Sequence, residues 1–456
     1  MSNVSFNIAA TGIDAAQTAM DTIAQNLSNA NTPGYVAQTA NLVTNPGGDP
    51  LGVGDGVRVT SVTQANDALA VSHVQQAQGA LSQNTALQQV LSQAQLTFQE
   101  PSSTGLASDL SNFWQSWDSI ANNPSDPAAR LQVVNQAQNL VSDLNQASQQ
   151  LATTSANAST QLSGVVGEAN SLLGQVATLN SQIFSAQNSG QNPNSLIDQR
   201  NQLMGQLSKD IGATGSVQSD GTYQVKVGGV PVVQGSWADT LDLAHSTSAS
   251  GTPQTSLVAH TSGISLSTTS GTAAGLLAAV NQYLPDYQNQ LDGVASALAS
   301  TVNNQLKLGY TTTGAAGQPL FTGSTASGIG VNPAVVSDPT QIAASGVPDT
   351  PTDPNAAVND GSNAQAVANL WNSAGGPDVA YRALVQKVGN QVSAVNNQVQ
   401  SSTSVANAAQ QNLQAVTGVD PNQQLVNLMN FQQSYQAAAK VISTVAGAVQ
   451  SLLAAV

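Results

Sequence analysis

A heptad repeat of apolar residues marks both ends of this 456-residue chain and constrains its fold more than any other feature. The N-terminal repeat has large residues at one heptad position and mostly alanine three residues later: Phe6, Ile13, Met20 and Leu27, followed by Ala9, Ala16, Ile23 and Ala30. The C-terminal repeat has the same form: Leu428, Tyr435, Ile442, Val449 and Val456, with Phe431, Ala438, Val445 and Leu452. Residues spaced in this way form a seam along one helix face, and small residues in the seam let a partner helix approach closely.

Two such seams predict that the ends of the chain meet as a coiled coil, with the remaining sequence looped between them. Two separate amphipathic helices docked on one globular core show the same periodicity, so the heptads alone leave both arrangements open. An isolated pair of helices of this kind is only marginally stable in water. We therefore expect the termini to be largely disordered in the monomer and to fold on assembly, when neighbouring chains bury their outer faces.

The N-terminal seam ends in residues 26–35, which read Asn-Leu-Ser-Asn-Ala-Asn-Thr-Pro-Gly-Tyr. Pro33 disfavours helical geometry at Thr32, and Gly34 forms a turn without the steric cost of a Cβ atom. This segment resembles the N-terminal signature of the bacterial flagellar rod, hook and hook-associated proteins, which pair it with a C-terminal helix like that of residues 425–456. The signature residues of this chain are Asn26, Asn29, Thr32, Pro33, Gly34 and Tyr35.

A second segment, residues 194–207, carries a similar family signature, with Leu196, Asp198, Arg200 and Leu203 as its signature residues. It resembles the Leu-Asp-x-Arg-x-x-Leu helix of the hook-associated members of the family, and residues 275–321 add further similarity. Asp198 and Arg200 are two positions apart on a helix, so they do not face each other. We expect them to form surface contacts or ties between the helices of a bundle.

Helical and strand periodicities predict a mainly α fold with a smaller β part. We expect terminal helices that form a coiled coil, a long helical-bundle rod domain, and an inserted β-hairpin and outer β region. The predicted divisions are residues 1–66 (N-terminal coiled-coil helix and linker), 67–210 (helical bundle rod domain), 211–271 (β-hairpin region), 272–309 (bundle helix), 310–359 (short outer domain rich in Gly, Pro and Thr), 360–417 (bundle helices) and 418–456 (C-terminal coiled-coil helix).

Local signals place several elements within these divisions. Asp126–Pro127 predicts a helix start, because aspartate caps a helix and proline fits its first turn. Asp220–Gly221 predicts a hairpin turn, and residues 264–266 are one of several short strand candidates that follow it. Trp114 and Trp117 are predicted to anchor the core rather than to bind a ligand.

The composition excludes several classes of function. The chain has 9 basic and 24 acidic residues, a formal net charge of −15, so it lacks the basic patch that binding of nucleic acid or an anionic membrane requires. It has no cysteine, which excludes disulfides and thiolate chemistry. We find no apolar run of about 18 residues and therefore expect no membrane insertion. No basic residue precedes Arg58, so we expect no cleaved secretory signal.

No constellation of residues predicts catalysis, a cofactor or a bound metal. His73, His245 and His260 are far apart in the sequence and match no metal-ligand spacing. Glu100 and Glu168 lie in or beside ordinary helical sequence, which favours solvated helix positions over an acid–base pair. We therefore expect no enzyme activity, and a wall-degrading activity on a flagellar scaffold is the formal alternative.

The resemblance implies a structural subunit of the bacterial flagellum that forms the junction ring between hook and filament, outside the cell. The implied partners are further copies of the chain, the hook protein, the next hook-associated protein toward the filament, a cytoplasmic export chaperone on the C-terminal helix, and the flagellar export apparatus. A hook or rod protein of the same family is the alternative, although its middle is expected to be mostly β. A secreted adhesin explains the composition but not the paired seams.

Overall fold

The computed structural model describes residues 2–32, 34–46, 54–98, 100, 102–219, 221–247, 251 and 253–455. They form a mainly α structure with small sheets, which confirms the predicted fold class. The helices are α1 (Ser2–Ser28), α2 (Ala68–Gln95), α3 (Leu106–Asn122), α4 (Pro127–Asn188), α5 (Asn194–Ile211), α6 (Thr272–Ala278), α7 (Leu284–Leu306), α8 (Pro333–Ser337), α9 (Ala356–Asn359), α10 (Ser362–Ala368), α11 (Pro377–Thr417) and α12 (Pro421–Ala454).

The strands are short and antiparallel. They are β1 (Gln38–Thr44), β2 (Val57–Gln64), β3 (Thr214–Val217), β4 (Tyr223–Val227), β5 (Val230–Gln234), β6 (Trp237–Ala238), β7 (Leu241–Thr247), β8 (Pro253–Ala259), β9 (Phe321–Thr322) and β10 (Gly330–Val331). Strands β3 to β6 form one sheet in chain order, and β1–β2, β7–β8 and β9–β10 pair separately. A π-helical turn at Ala279–Tyr283 joins α6 to α7.

Helix α4, 62 residues long, is the spine of a helical bundle. Its start is the predicted one: the Asp126 carboxylate accepts a hydrogen bond from the Ala128 amide at 2.9 Å, and Pro127 is the first helical residue. Helices α3, α5, α6 and α7 pack along it, and α11 packs on α2 and α7. Trp114 and Trp117 are both buried in this bundle, as predicted. The bundle therefore has a continuous apolar core along its length.

Within the β3–β6 sheet, strand β4 alternates in burial, with Tyr223, Val225 and Val227 buried and the residues between them partly exposed. Asp220, in the predicted hairpin turn, lies outside the described residues. The strand predicted at residues 264–266 does not form, and this segment makes a single bridge from Ser265 to Val258. It contributes Leu266 to the core instead.

Residues 310–359, predicted as a short outer domain, pack on the bundle and contribute Leu320, Phe321 and Ile342 to its core. Arg130, at the start of α4, is buried and donates to the carbonyl oxygens of Pro124 and Ile342 at 2.9 and 2.7 Å. Burial lowers the pKa of Arg130. The segment is thus attached to the first turn of α4 by a buried cation that is hydrogen-bonded to backbone carbonyls.

The terminal helix pair as the candidate functional site

The two terminal helices, α1 and α12, pack against each other in antiparallel orientation. Gly12 of α1 faces Ala438, and a Cβ atom added at Gly12 would lie 3.7 Å from the Ala438 Cβ. Asn26 lies fourteen residues after Gly12 in α1, and Gln424 lies fourteen residues before Ala438 in α12. Asn26 Nδ2 donates a hydrogen bond to Gln424 Oε1 at 3.2 Å. Residue numbers of the contacts thus increase along α1 and decrease along α12, which shows that the two helices are antiparallel. We refer to α1 and α12 as the terminal helix pair.

The buried side of α1 consists mainly of small residues: Ala9, Ala15, Ala16, Ala19, Thr22, Ile23 and Asn26. The larger heptad residues Ile13, Met20 and Leu27 are only partly buried. Phe6 is 45% exposed, so it lies outside the buried contact in the single chain. Small side chains allow the close approach of the helices, and the large ones consequently lie at the flanks of the contact.

Helix α12 is fully described and buries none of its residues. The seam residues Leu428, Phe431, Tyr435, Ile442 and Val445 are partly buried, whereas Val449 and Leu452 are exposed. Other apolar residues of α12 are exposed as well: Leu425, Val426, Met429, Val441 and Leu453. At about 100° per residue these positions lie on more than one side of the helix. Contact with α1 therefore covers only part of the apolar surface of α12.

One apolar stretch within the helical span Ser362–Ala454 is long enough to cross a membrane by length and composition, and none of it is buried. The stretch is not a continuous apolar run, because Ser443 and Thr444 lie within it, but its mean hydropathy is high. The physical reason is that alanines fill the positions between the heptad residues, and Lys440 is the only charged residue between Ala437 and Ala454.

Asn26, the first signature residue, is buried and uses its whole side-chain amide. Its Oδ1 accepts from the Tyr35 hydroxyl at 2.8 Å and from the backbone N–H of Gln38 at 2.9 Å. Its Nδ2 donates to the backbone carbonyl of Gln38 at 2.8 Å and also to the side chain of Gln424. One side chain thus connects α1, the signature turn, β1 and α12.

The rest of the signature forms the turn that follows α1. The Thr32 hydroxyl donates to Asn29 Oδ1 at 3.2 Å, and Pro33 lies outside the described residues. Gly34 has a φ of +81°, which favours glycine. A Cβ atom at Gly34 would approach Gln202 Nε2 to 2.8 Å, so the turn lies directly against α5. Burial raises the pKa of Tyr35.

A cluster of polar side chains connects the β1–β2 ribbon to the first turns of α5. Asn194 is buried and its Nδ2 donates to Gln38 Oε1 at 3.2 Å and to the Val62 carbonyl at 3.0 Å. Gln64 Nε2 donates to Asp198 Oδ1 at 2.9 Å and to the Asn194 carbonyl at 3.2 Å. We call Gln38, Gln64, Asn194 and Asp198 the polar joint. Burial raises the pKa of Asp198 to about 6, although the hydrogen bonds from Gln64 and Val36 oppose this shift.

Arg200, two residues after Asp198, points to the opposite side of α5. Its guanidinium lies 3.8 Å from the centre of the Tyr223 ring, and Nη1 donates to Asn180 Oδ1 at 3.3 Å. Burial lowers the pKa of Arg200. Leu196 and Leu203 are partly buried, and Leu203 packs on the core. Asp198 contacts the β-ribbon while Arg200 contacts α4 and β4, so the two do not pair.

Sequence reasoning missed three members of the polar joint, Gln38, Gln64 and Asn194. Uncharged amides on different elements have no periodic or electrostatic signature, so only their positions in space reveal them. It also missed why Gly56 is a glycine. Gly56 has a φ of +96°, and a Cβ atom there would overlap the Thr11 hydroxyl of α1.

Among the residues that the structure describes, there is no group of three or more His, Asp, Glu or Cys that could hold a metal ion. Glu100 accepts from the Ala107 amide at 3.0 Å and from the Tyr381 hydroxyl at 3.2 Å, so it stabilises the start of α3. Glu168 accepts from Gln206 Nε2 at 3.4 Å. These glutamates have separate structural contacts.

Comparison with known families identifies the class of protein to which this arrangement belongs, the structural proteins of the bacterial flagellum. Residues 6–35 match the family described as flagella basal body rod protein, and residues 409–455 match the flagellar basal body rod FlgEFG protein C-terminal family. Residues 91–321, half of the chain, match the flagellar hook-associated protein FlgK helical domain. The chain belongs to the family of the flagellar hook-associated protein FlgK.

Individual relatives agree with this assignment. Flagellar hook-associated protein 1 of Escherichia coli K12 is 32% identical over 332 residues, which cover 69% of this chain and 59% of that relative. The matched part thus spans less than two thirds of the E. coli protein. Flagellar hook-associated protein 1 of Bacillus subtilis 168 is 26% identical over 94% of each chain. The flagellar hook junction protein FlgK of Burkholderia pseudomallei has a similar fold, with a TM-score of 0.67 and 20% identity over 76% of this chain and all of that one.

Proposed function

We propose that this chain is a structural subunit of the bacterial flagellum that forms the junction ring between hook and filament, in keeping with relatives that are named flagellar hook-associated protein 1. The observation that carries the proposal is α12: it has apolar residues on several sides and none of them is buried in the single chain. A helix of this kind needs further neighbours. Copies of the same chain in a ring supply them.

In the assembled ring, residues 1–66 and 418–456 form the inner, coiled-coil layer. The bundle parts, residues 67–210, 272–309 and 360–417, surround it, and residues 211–271 and 310–359 face outward. Apolar seam residues that lie at the flanks of the α1–α12 contact, such as Phe6 and Leu452, then contact neighbouring chains. This arrangement joins a flexible hook to a stiff filament without any catalytic chemistry.

The partners in this proposal are those of the family. Besides further copies of itself, the chain contacts the hook protein on one side and the next hook-associated protein on the other. Before export, a cytoplasmic chaperone covers the C-terminal helix, since an exposed apolar helix favours aggregation. The flagellar export apparatus delivers the chain to the cell exterior without signal cleavage.

The terminal helix pair is largely disordered in the monomer in this proposal and folds as neighbours bury it. The lack of any buried residue in α12 supports this idea, because tertiary burial provides most of the stability of a helix. Amide hydrogen exchange of the free chain tests it. Fast exchange in residues 3–30 and 425–456 is expected, and strong protection there would refute folding on assembly.

Electron microscopy of cells that lack the gene, with flagellin assayed in the medium, tests the function itself. Hooks of normal length without filaments, together with shed flagellin, are expected for a hook–filament junction protein. Absent hooks would assign the chain to the hook or rod instead, although the small β content of its middle argues against that alternative. Normal motile filaments would contradict the proposal and leave a surface role such as adhesion.

A further inference from the structure

We infer that the polar joint sets the orientation of the terminal helix pair relative to the bundle, with Asn194 and Asp198 as positioning residues. The inference deepens the proposed function, because a ring subunit needs its inner helices at a defined angle to its outer bundle. It gives the second signature segment a specific role. Residues 194–207 would hold the first signature segment, residues 26–35, in place.

No apolar core connects the two parts. The main core extends from Ala86 to Val395 and includes no described residue of α1, β1, β2 or α12. The buried alanines of α1 face α12 and the β-ribbon instead. Polar contacts and the chain connections therefore decide how the terminal part is oriented.

The chain connections meet at one point. Residues 65–67 join β2 to α2, and residues 418–420 join α11 to α12. The Ala37 amide donates to the Thr417 carbonyl at 2.9 Å, and the Ala65 amide donates to the Ala37 carbonyl at 3.0 Å. Three segments of the chain thus lie side by side at the junction between the terminal part and the bundle. A single junction of this kind fixes the position of the terminal part but leaves it free to rotate about the junction.

The polar joint restrains that rotation. A continuous chain of hydrogen bonds extends from Gln424 of α12 through Asn26 of α1 to Gln38 of β1, and from Gln38 to Asn194 of α5. Gln64 adds a second connection, to Asp198 and the Asn194 carbonyl. Each connection passes through a side chain, so a substitution can remove it without disturbing the backbone.

The lack of cysteine permits a direct test on the full chain by site-directed spin labelling. One label replaces Thr60, exposed on β2, and the other replaces Gln175, exposed on α4. Neither position belongs to the terminal helix pair, so neither label lies on a helix that the proposal treats as disordered in the monomer. Pulsed dipolar spectroscopy then reports the distribution of distances between the ribbon and the bundle.

A single narrow distance distribution is expected for the parent chain. Asn194→Ala combined with Asp198→Ala removes the side-chain hydrogen bonds to Gln38, Val62 and Gln64. This double variant should at least double the width, with an unchanged thermal midpoint of the bundle. Gln199→Ala, an exposed change on the same helix, should leave the width unchanged. The conservative Asp198→Asn variant should broaden it less, because its side-chain carbonyl still accepts from Gln64.

An unchanged distribution in the Asn194→Ala and Asp198→Ala double variant, or a broad distribution in the parent chain, would overturn the inference. These outcomes are independent of the gene-deletion phenotype. A junction defect in the deleted cells with an unchanged distance distribution would reject the polar joint alone. A broadened distribution with normal filaments in the deleted cells would reject the proposed function alone.

Discussion

Helices α4 and α12 are both long and both carry regularly spaced apolar residues, yet they differ completely in burial. Helix α4 buries 20 of its 62 residues, whereas α12 buries none of its 34. The same kind of pattern therefore has two outcomes. In α4 many apolar residues are buried by partners within the chain, and in α12 all of them remain partly or fully exposed. The bundle is stabilised by its own core, whereas stabilisation of the terminal helix pair by assembly is our proposal.

The largest effect on stability is expected in the bundle core. Trp117 is 0% exposed, and its truncation in Trp117→Ala should destabilise the chain by about 3–5 kcal/mol. Trp371 is 52% exposed, so Trp371→Ala should change stability by no more than about 0.5 kcal/mol. Urea denaturation of both variants measures the difference. Equal effects would contradict a stability that resides in the buried bundle.

A second test compares two helical glycines of the bundle. Gly275 of α6 lies against the Gln83 backbone oxygen of α2, and a Cβ atom would overlap it, whereas Gly174 of α4 has open space around it. Gly275→Ala should cost about 1–3 kcal/mol through overpacking. Gly174→Ala should stabilise by about 0.5–1 kcal/mol through helix propensity. Thermal unfolding of the two variants decides. A neutral Gly275→Ala would mean that α2 and α6 pack loosely.

The bundle should also respond to pH through Asp109 of α3. Burial raises the pKa of Asp109 to about 7, with smaller contributions from a hydrogen bond to Asp143 and from the charges of Asp143 and Glu100. The folded pKa thus lies above the ordinary value of 3.8. The stabilising contribution is therefore present at acidic pH and is lost as the pH rises through about 7.

Asp109→Asn keeps a hydrogen-bond donor toward Asp143 but does not titrate. We expect the parent chain to lose stability relative to this variant between pH 5 and pH 8. The loss should not exceed about 1 kcal/mol, because solvent screens a half-exposed pair. Urea denaturation at both pH values measures it. Parallel pH profiles of the parent and the variant would show that the two carboxyl groups do not share a proton.

The smallest effect on folding, with a large effect on assembly, is expected for Leu452→Asn. Leu452 is 69% exposed on α12, so the variant should change monomer stability by no more than about 0.5 kcal/mol. In cells that carry only this variant, few filaments are expected, because the proposed ring places this leucine against a neighbouring chain. Electron microscopy of complemented cells counts them.

Leu131 provides the matched control, since it is 50% exposed on α4. Leu131→Asn should have the same small effect on stability and should leave filaments in place. Filaments retained with Leu452→Asn would remove this residue from the assembly contacts. Loss of filaments with both variants would mean that exposed leucines of the bundle are as important for assembly as those of α12, contrary to this prediction.

Elements that depend on local chemistry could be predicted from the sequence alone. Asp126–Pro127 starts α4 because capping and proline geometry involve only neighbouring residues. Trp114 and Trp117 are buried because their helix has a regular apolar face. The heptads and the two signatures also led directly to the family and to the terminal helix pair as the candidate site. Each of these features is periodic or contiguous.

Contacts between residues of the site, by contrast, could not be predicted from the sequence and are seen only in the folded chain. Asn26 was recognised as part of a signature, but its four hydrogen bonds reach residues that are 9, 12 and 398 positions away. Arg200 contacts Tyr223 and Asn180 rather than any acidic residue. Neutral amides and aromatic rings pair without a charge pattern, so nothing in the sequence identifies their partners. Folding brings them together, and for this reason the polar joint is visible only in three dimensions.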